Sequence, residues 1–265
     1  MDDINLKLFA NNNEKEKLGE ISKLMHDWVK EISNHKIKFR DDNKNYNSED
    51  YFVEDGFFPN YFNQEIKVLF IGREARGISG LNIVNVVMNN MRSDSGQTGS
   101  FWRRIFYMTY GIKTKGKVKW EDVPYVYDIE NEIIKTQKYS LAIMNFSKYS
   151  NDCDDGAKAD IKLINRFCED TNFEKRNFFK EEISILDPDV IITANIWDGK
   201  IDEKYLNLAF GEEKVIKIIG DNDACFKLIN INGKSIKVID LYHFSRPGVE
   251  DKKYYYDPVV KLLFK

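Results

Sequence analysis

The sequence predicts an α/β fold, a mostly parallel sheet with helices on both sides. Short, continuous apolar runs recur from residue 67 onward. Strands that are apolar at every position, rather than at alternate ones, are strands buried on both faces. Stretches with helical apolar spacing separate these runs, so strand and helix alternate as a parallel sheet requires. The 265 residues, 42% apolar and 14% aromatic, suffice to bury such a core.

Residues 14 to 33 carry Leu18, Ile21, Leu24, Met25, Trp28, Val29 and Ile32 at helical spacing, an amphipathic helix. A polar connection over residues 36–50 leads to an aromatic segment, residues 51–62. Residues 1–65 therefore read as an N-terminal helical extension and 66–265 as the α/β domain. Strands are expected at 68–71, 140–145, 189–194 and 236–241, with helices near 81–91, 101–110, 157–168 and 174–186. Residues 215–219 make a further strand, and 224–231 joins the run from Ile236 through Asn232-Gly233, a hairpin signal that adds an antiparallel edge. Residues 259–264 close the chain as a helix.

A net charge of −3 gives no global attraction to nucleic acid, so any such binding needs a local patch. One is visible in residues 103–120, which hold Arg103, Arg104, Lys113, Lys115, Lys117 and Lys119 with interleaved aromatics and no acidic residue. It reads equally as a solvated face or as a phosphate-binding surface beside the site. Cys153, Cys168 and Cys225 lie far apart, which argues against a zinc site, an iron-sulfur cluster or a disulfide framework. No stretch approaches the roughly 18 apolar residues of a membrane span, and the acidic N-terminus lacks a signal-peptide pattern. A cytoplasmic protein without a membrane partner is expected.

Three apolar runs end in polar clusters: Lys67-Val-Leu-Phe-Ile-Gly-Arg-Glu-Ala-Arg-Gly77, Leu141-Ala-Ile-Met-Asn-Phe-Ser-Lys-Tyr-Ser150 and Ile236-Lys-Val-Ile-Asp-Leu-Tyr-His-Phe-Ser-Arg-Pro-Gly248. In an open parallel sheet the ligand crevice lies beyond the carboxyl ends of the strands, where Glu74, Asn145 and His243 can converge. Glu74 is then either a water-orienting carboxylate or a surface partner of Arg73 or Arg76. Asn145 either caps a turn or reads a base edge, since an amide offers a donor beside an acceptor. His243 either bonds within its loop or stabilises a leaving group. Gly72, Gly77 and Gly80 do not form a phosphate-binding loop, which disfavours nucleotide hydrolysis.

Taken in order, these segments resemble the uracil-DNA glycosylase superfamily. Residues 68–77 are similar to its first motif, a strand ending in a Gly-Glu-Ala-Pro-Gly type loop. Residues 142–148 are similar to its Thr-Asn-Val-Val-Lys segment, the Leu186-Asp-Pro run resembles the Leu-x-Pro before its structural strand, and Tyr242-His-Phe-Ser-Arg-Pro247 resembles its His-Pro-Ser motif. The resemblance spans roughly residues 66 to 262. It implies a three-layer αβα fold around a four-stranded parallel sheet and a DNA glycosylase that flips a base and hydrolyses its N-glycosidic bond. Glu74 would position water, Asn145 would read the base, His243 would stabilise the departing base, and Phe101 or Trp102 would stack on it. DNA contacts fall to Arg73, Arg76, Arg103, Arg104, Lys148, Ser245 and Arg246, and no metal or cofactor is implied. Arg73 and Arg76 stand where the family has a small residue and a proline, and Phe244 replaces another proline. Two alternatives remain: a glycosylase for hydroxymethylated or glucosylated bases in phage defence, and a catalytically silent DNA-binding member of the fold.

Overall fold

The computed structural model describes residues 11–92, 99–153, 158–211, 213–219 and 224–265. In chain order its elements are α1 (Asn12–Ile32), β1 (Lys36–Ile37), β2 (Tyr46–Asn47), β3 (Gly56–Phe57), β4 (Val68–Glu74), α2 (Ile83–Arg92), α3 (Ser100–Lys113), α4 (Val126–Ile134), β5 (Ala142–Ser147), α5 (Ile161–Thr171), α6 (Phe178–Leu186), β6 (Val190–Ala194), α7 (Glu203–Phe210), β7 (Glu213–Ile219), β8 (Ala224–Ile231), β9 (Lys234–Leu241) and α8 (Asp257–Phe264). Strands β1 and β2 form a small antiparallel pair. The other seven make one sheet in the order β3-β5-β4-β6-β9-β8-β7. Its centre, β5-β4-β6-β9, is parallel, and antiparallel strands flank it on both edges.

One face of the sheet, including Leu69, Ile71, Met144, Phe146 and Ile191, packs on residues of α1, α5, α6 and α7. The other, including Phe70, Ile143, Ile192 and Ile239, packs on α2, α3, α4 and α8. This is the expected three-layer α/β arrangement. At the turn between β8 and β9, Asn232 and Gly233 take φ of 51° and 83°. Two consecutive positive φ values are what a type I′ hairpin turn needs.

Local chemistry sets the helix ends. The Asn11 side chain accepts the Glu14 N–H at 2.7 Å to start α1. Asp160 and Asn177 cap α5 and α6, which is why these helices begin later than their apolar periodicity suggests. Ala157, the expected start of the first of these, lies outside the described residues. Sequence reading passed over β3, α4 and α7, the first because it is only two residues long and exists by edge pairing with β5.

The segment before residue 66 is joined tightly to the rest. Trp28 of α1 stacks on Phe178 with ring centroids 5.3 Å apart and donates its indole N–H to Thr171 at 3.0 Å. The buried Glu14 carboxylate accepts the backbone N–H groups of Asn60 and Phe62 at 3.1 and 3.2 Å. Among the described residues no helix is long and apolar enough to cross a membrane.

Candidate active site

The parallel register lines up the carboxyl ends of four strands. Gly72 of β4 pairs with Asn145 of β5, and Ala194 of β6 pairs with Leu241 of β9. Because β5 and β6 lie on opposite sides of β4, the winding reverses between β4 and β6, and ligand crevices form beyond such a switch point. Glu74, Asn145 and His243 all belong to this edge.

Asn145 is buried on the sheet face that also carries Phe70 and Ile143. Its backbone N–H donates to Asp55 Oδ2 at 2.8 Å, and its Nδ2 donates to Asp55 Oδ1 at 3.4 Å. Its Oδ1 lies over Gly72, where a Cβ would come within 2.6 Å of it. Glycine at 72 is therefore a requirement of this close approach, independent of any turn. Asp55 also holds Lys148, whose Nζ donates to Asp55, to Glu182 Oε2 at 2.8 Å and to the Asn145 carbonyl at 3.0 Å.

Glu74 ends β4 with its carboxylate largely enclosed. Oε1 accepts from Asn151 Nδ2 at 2.7 Å and from the Asp160 N–H at 3.2 Å, with Arg76 at 3.4 Å. Burial raises its carboxyl above the ordinary glutamate value, against the pull of these bonds. The Asp160 N–H also reaches Oε2, at 3.4 Å, and a carboxylate oxygen with one donor keeps a lone pair for a water.

His243 stands two residues past β9. The Ser245 N–H reaches its Nδ1 at 3.3 Å and the Ser245 hydroxyl lies 2.8 Å from the same atom. A backbone N–H can only donate, so Nδ1 accepts and the neutral ring carries its proton on Nε2. Desolvation, then the charges of Arg73, Arg76 and Arg104, push the imidazole down to about 4. At neutral pH it is an uncharged donor. Phe101, at the start of α3, lies 6.0 Å from this ring and 5.5 Å from Phe244, centroid to centroid. Trp102 turns away, onto Phe58 and Phe106. Phe101 is thus the aromatic that the fold places at the site.

Several cations expected to meet DNA are engaged internally. Arg73 is buried, donating to the Asn195 carbonyl and, at 2.5 Å, to Asp198 Oδ2 across the switch point. Lys148 is wholly buried in the Asp55 and Glu182 cluster, so direct phosphate contact by it is not supported. Arg104, also buried, bonds Asp251 and the carbonyls of Phe244, Arg246 and Val249. These three arginine and lysine side chains sit where the chain needs internal donors, and a buried charge without a partner is too costly to keep. Arg103 pairs with Asp251 at 2.6 Å but remains partly exposed. Arg76 donates to the Lys158 carbonyl beside Glu74. Ser245 and Arg246 are exposed, and Arg246 lies 3.8 Å over the Tyr242 ring.

The basic stretch is split rather than gathered. Arg103 and Arg104 lie at the site end of α3, whereas Lys113 bonds the Ile66 carbonyl just before β4. A 14-residue helix is about 20 Å long, so Lys113 and Lys115, the latter paired with Glu65, lie toward the opposite edge of the sheet, and the chain then turns back so that Trp120 packs on Tyr107. Alternation in sequence did not carry Lys113 and Lys115 to the crevice.

No protein-family model matches the chain, and no curated protein does. The reading of the site therefore stands on its residues. Asp55, Glu182 and Asp251 were missed in the sequence. For Glu182 the signal was present: with Phe178 and Leu186 it occupies every fourth position on the apolar stripe of α6. A buried acid side chain there needs a polar partner, and Lys148 supplies it.

Proposed function

We propose that the chain is a DNA N-glycosylase, which extrudes a base into the crevice beyond β4, β5, β6 and β9 and hydrolyses its glycosidic bond. The observation that carries this reading is the combination at one sheet edge of three groups. These are an enclosed carboxylate, an amide with Oδ1 over a glycine, and a neutral imidazole with its Nε2–H free for a substrate. Phe101 offers the face on which a flipped base stacks, offsetting the few kcal/mol of unstacking. The bond then breaks with positive charge developing on the sugar. Ionised Glu74 stabilises that charge and orients the attacking water, while His243 Nε2–H donates to the anion forming on the base. A neutral imidazole suits this task, because the Ser245 N–H on Nδ1 leaves the ring's one proton on Nε2, where it donates to the departing base.

The test is a panel of oligonucleotides carrying uracil, hypoxanthine, mismatched thymine, and hydroxymethylated or glucosylated cytosine, read as alkali-labile abasic sites. Glu74→Gln and His243→Ala should each slow excision by at least about 100-fold, with DNA affinity within a few-fold of the parent. Absence of an abasic product across the panel, despite salt-sensitive DNA binding, would replace this reading by that of a silent DNA-binding protein.

A further inference from the structure

We propose that Asp55 is the positioning residue that sets base specificity: it fixes the Asn145 amide so that the site accepts bases presenting N–H beside C=O. The inference deepens the glycosylase reading and rests on it for the identity of the ligand.

An asparagine amide can be rotated by half a turn with little change in shape, exchanging donor and acceptor. In one orientation it pairs with the lactam edge of uracil, thymine or hypoxanthine. In the other it pairs with the amidine edge of cytosine and its modified forms, where a ring nitrogen accepts and an amino group donates. Asp55 decides between them. Its carboxylate faces both the backbone N–H and Nδ2 of Asn145. Turning the amide over would bring Oδ1 against that carboxylate, two acceptors in contact at a fully buried position. Oδ1 consequently points over Gly72, and among the described residues no protein donor engages it. One Nδ2 hydrogen is committed to Asp55, which leaves the second hydrogen and Oδ1 for a ligand.

Asp55 is in turn immobile. It is fully buried between Lys148 and the Asn145 backbone, and Lys148 is anchored further by Glu182 and the Asn145 carbonyl. The lock thus acts on both ends of the same residue, its side chain and its main chain. It disfavours hydroxymethylated or glucosylated cytosine as the substrate and favours lactam bases.

The probes are oligonucleotides carrying 2′-fluoroarabino-uridine or 2′-fluoroarabino-cytidine, whose glycosidic bonds resist hydrolysis, so that recognition is measured apart from cleavage. The parent protein should bind the uridine probe at least about tenfold more tightly, the worth of one correctly paired base edge. In Asp55→Asn the neutral amide accommodates either orientation of Asn145, and the preference should fall to within about threefold. Should that variant fail to fold, Asp55→Asn combined with Lys148→Met removes the cation together with its counter-charge and carries the same measurement. Equal binding or no binding of the two probes by the parent, or a folded variant with the full preference, overturns the inference. A parent that prefers the uridine probe yet excises no base from the panel overturns the glycosylase reading and leaves the lock standing.

Discussion

Beneath Asn145, Lys148 sits between two carboxylates, Asp55 and Glu182, with all three side chains at 0% exposure. Beneath the loop that carries His243, Arg104 holds one carboxylate, Asp251, and spends its other donors on the carbonyls of Phe244, Arg246 and Val249. The first cluster touches the functional group itself and is walled in by Trp28 of α1 and by α6. The second grips main chain, and Tyr255 reinforces it from below by donating to the His243 carbonyl at 2.9 Å. One anchor therefore orients a side chain and is walled into the core; the other, itself buried, shapes a loop whose outer residues are exposed.

The largest expected effect follows from that difference. Lys148→Met leaves Asp55 in the core with no cation and Glu182 with no donor. Breaking a buried pair in this way typically costs about 3–5 kcal/mol. Urea unfolding should show the loss as a lower midpoint for the whole molecule, since the cluster joins the segment before β3, β5 and α6. A loss confined to one region would mean that the cluster is more open to water than its burial implies.

Arg104→Ala should act locally. Its carbonyl partners lose their donors but lie close to exposed positions where water can replace them, and about 1–3 kcal/mol is the usual range for such bonds. Hydrogen exchange should accelerate in residues 243–251 while β4, β5 and β6 keep their protection. Excision should slow through misplacement of His243. Uniform loss of protection across the sheet would erase the contrast between the two anchors.

Legibility in the sequence divides along the same line. The parallel strands were readable because β4, β5 and β6 each contain an unbroken apolar run and β9 carries one, from Ile236 to Leu241, interrupted only by Lys237 and Asp240, and Glu74, Asn145 and His243 because they end or follow those runs. Their anchors were not. Asp55 and Lys148 are 93 residues apart and Lys148 and Glu182 are 34 apart, and no local periodicity reports such a pairing. The same blindness made Lys148, Arg73 and Arg104 look like surface cations. A charge is informative about partners only once its burial is known, and α3 separates Arg103 and Arg104 from Lys113 by most of its length.

The pH profile distinguishes His243, on the loop that Arg104 grips, from Glu74, at the end of β4. With His243 pushed down to about 4, the imidazole stays neutral through the mildly acidic range, so it sets no limb between pH 8 and pH 5. In the proposed reaction Glu74 acts ionised, and its carboxyl is raised by burial, so the excision rate should fall with decreasing pH at a point above the ordinary glutamate value. For stability, the His243 sign is that of a depressed base. The unfolded chain takes up the proton first, so stability is fully present above about pH 6.5 and is lost as pH falls toward 4. His243→Gln should remove that part of the acid destabilisation. An acid rate limb that persists unchanged in Glu74→Gln would assign it to another group.

The smallest effect expected is that of Glu182→Gln, and it separates the two carboxylates of the core cluster. Desolvation is the largest influence on the Glu182 carboxyl and drives it well up, with the neighbouring charge of Asp55 adding to it. Its Oε1 is buried without a hydrogen-bond partner. An ionised oxygen in that position would be far costlier than a protonated one. Lys148 and Asp55 thus form the charged pair, and Glu182 serves as a neutral acceptor to Lys148. Glutamine provides the same acceptor at nearly the same volume, so the unfolding free energy should change by no more than about 1 kcal/mol and the preference for the uridine probe should not move. A loss comparable to that of Lys148→Met would mean that Glu182 carries charge, in which case the lock on Asn145 is shared between both acids and does not belong to Asp55 alone.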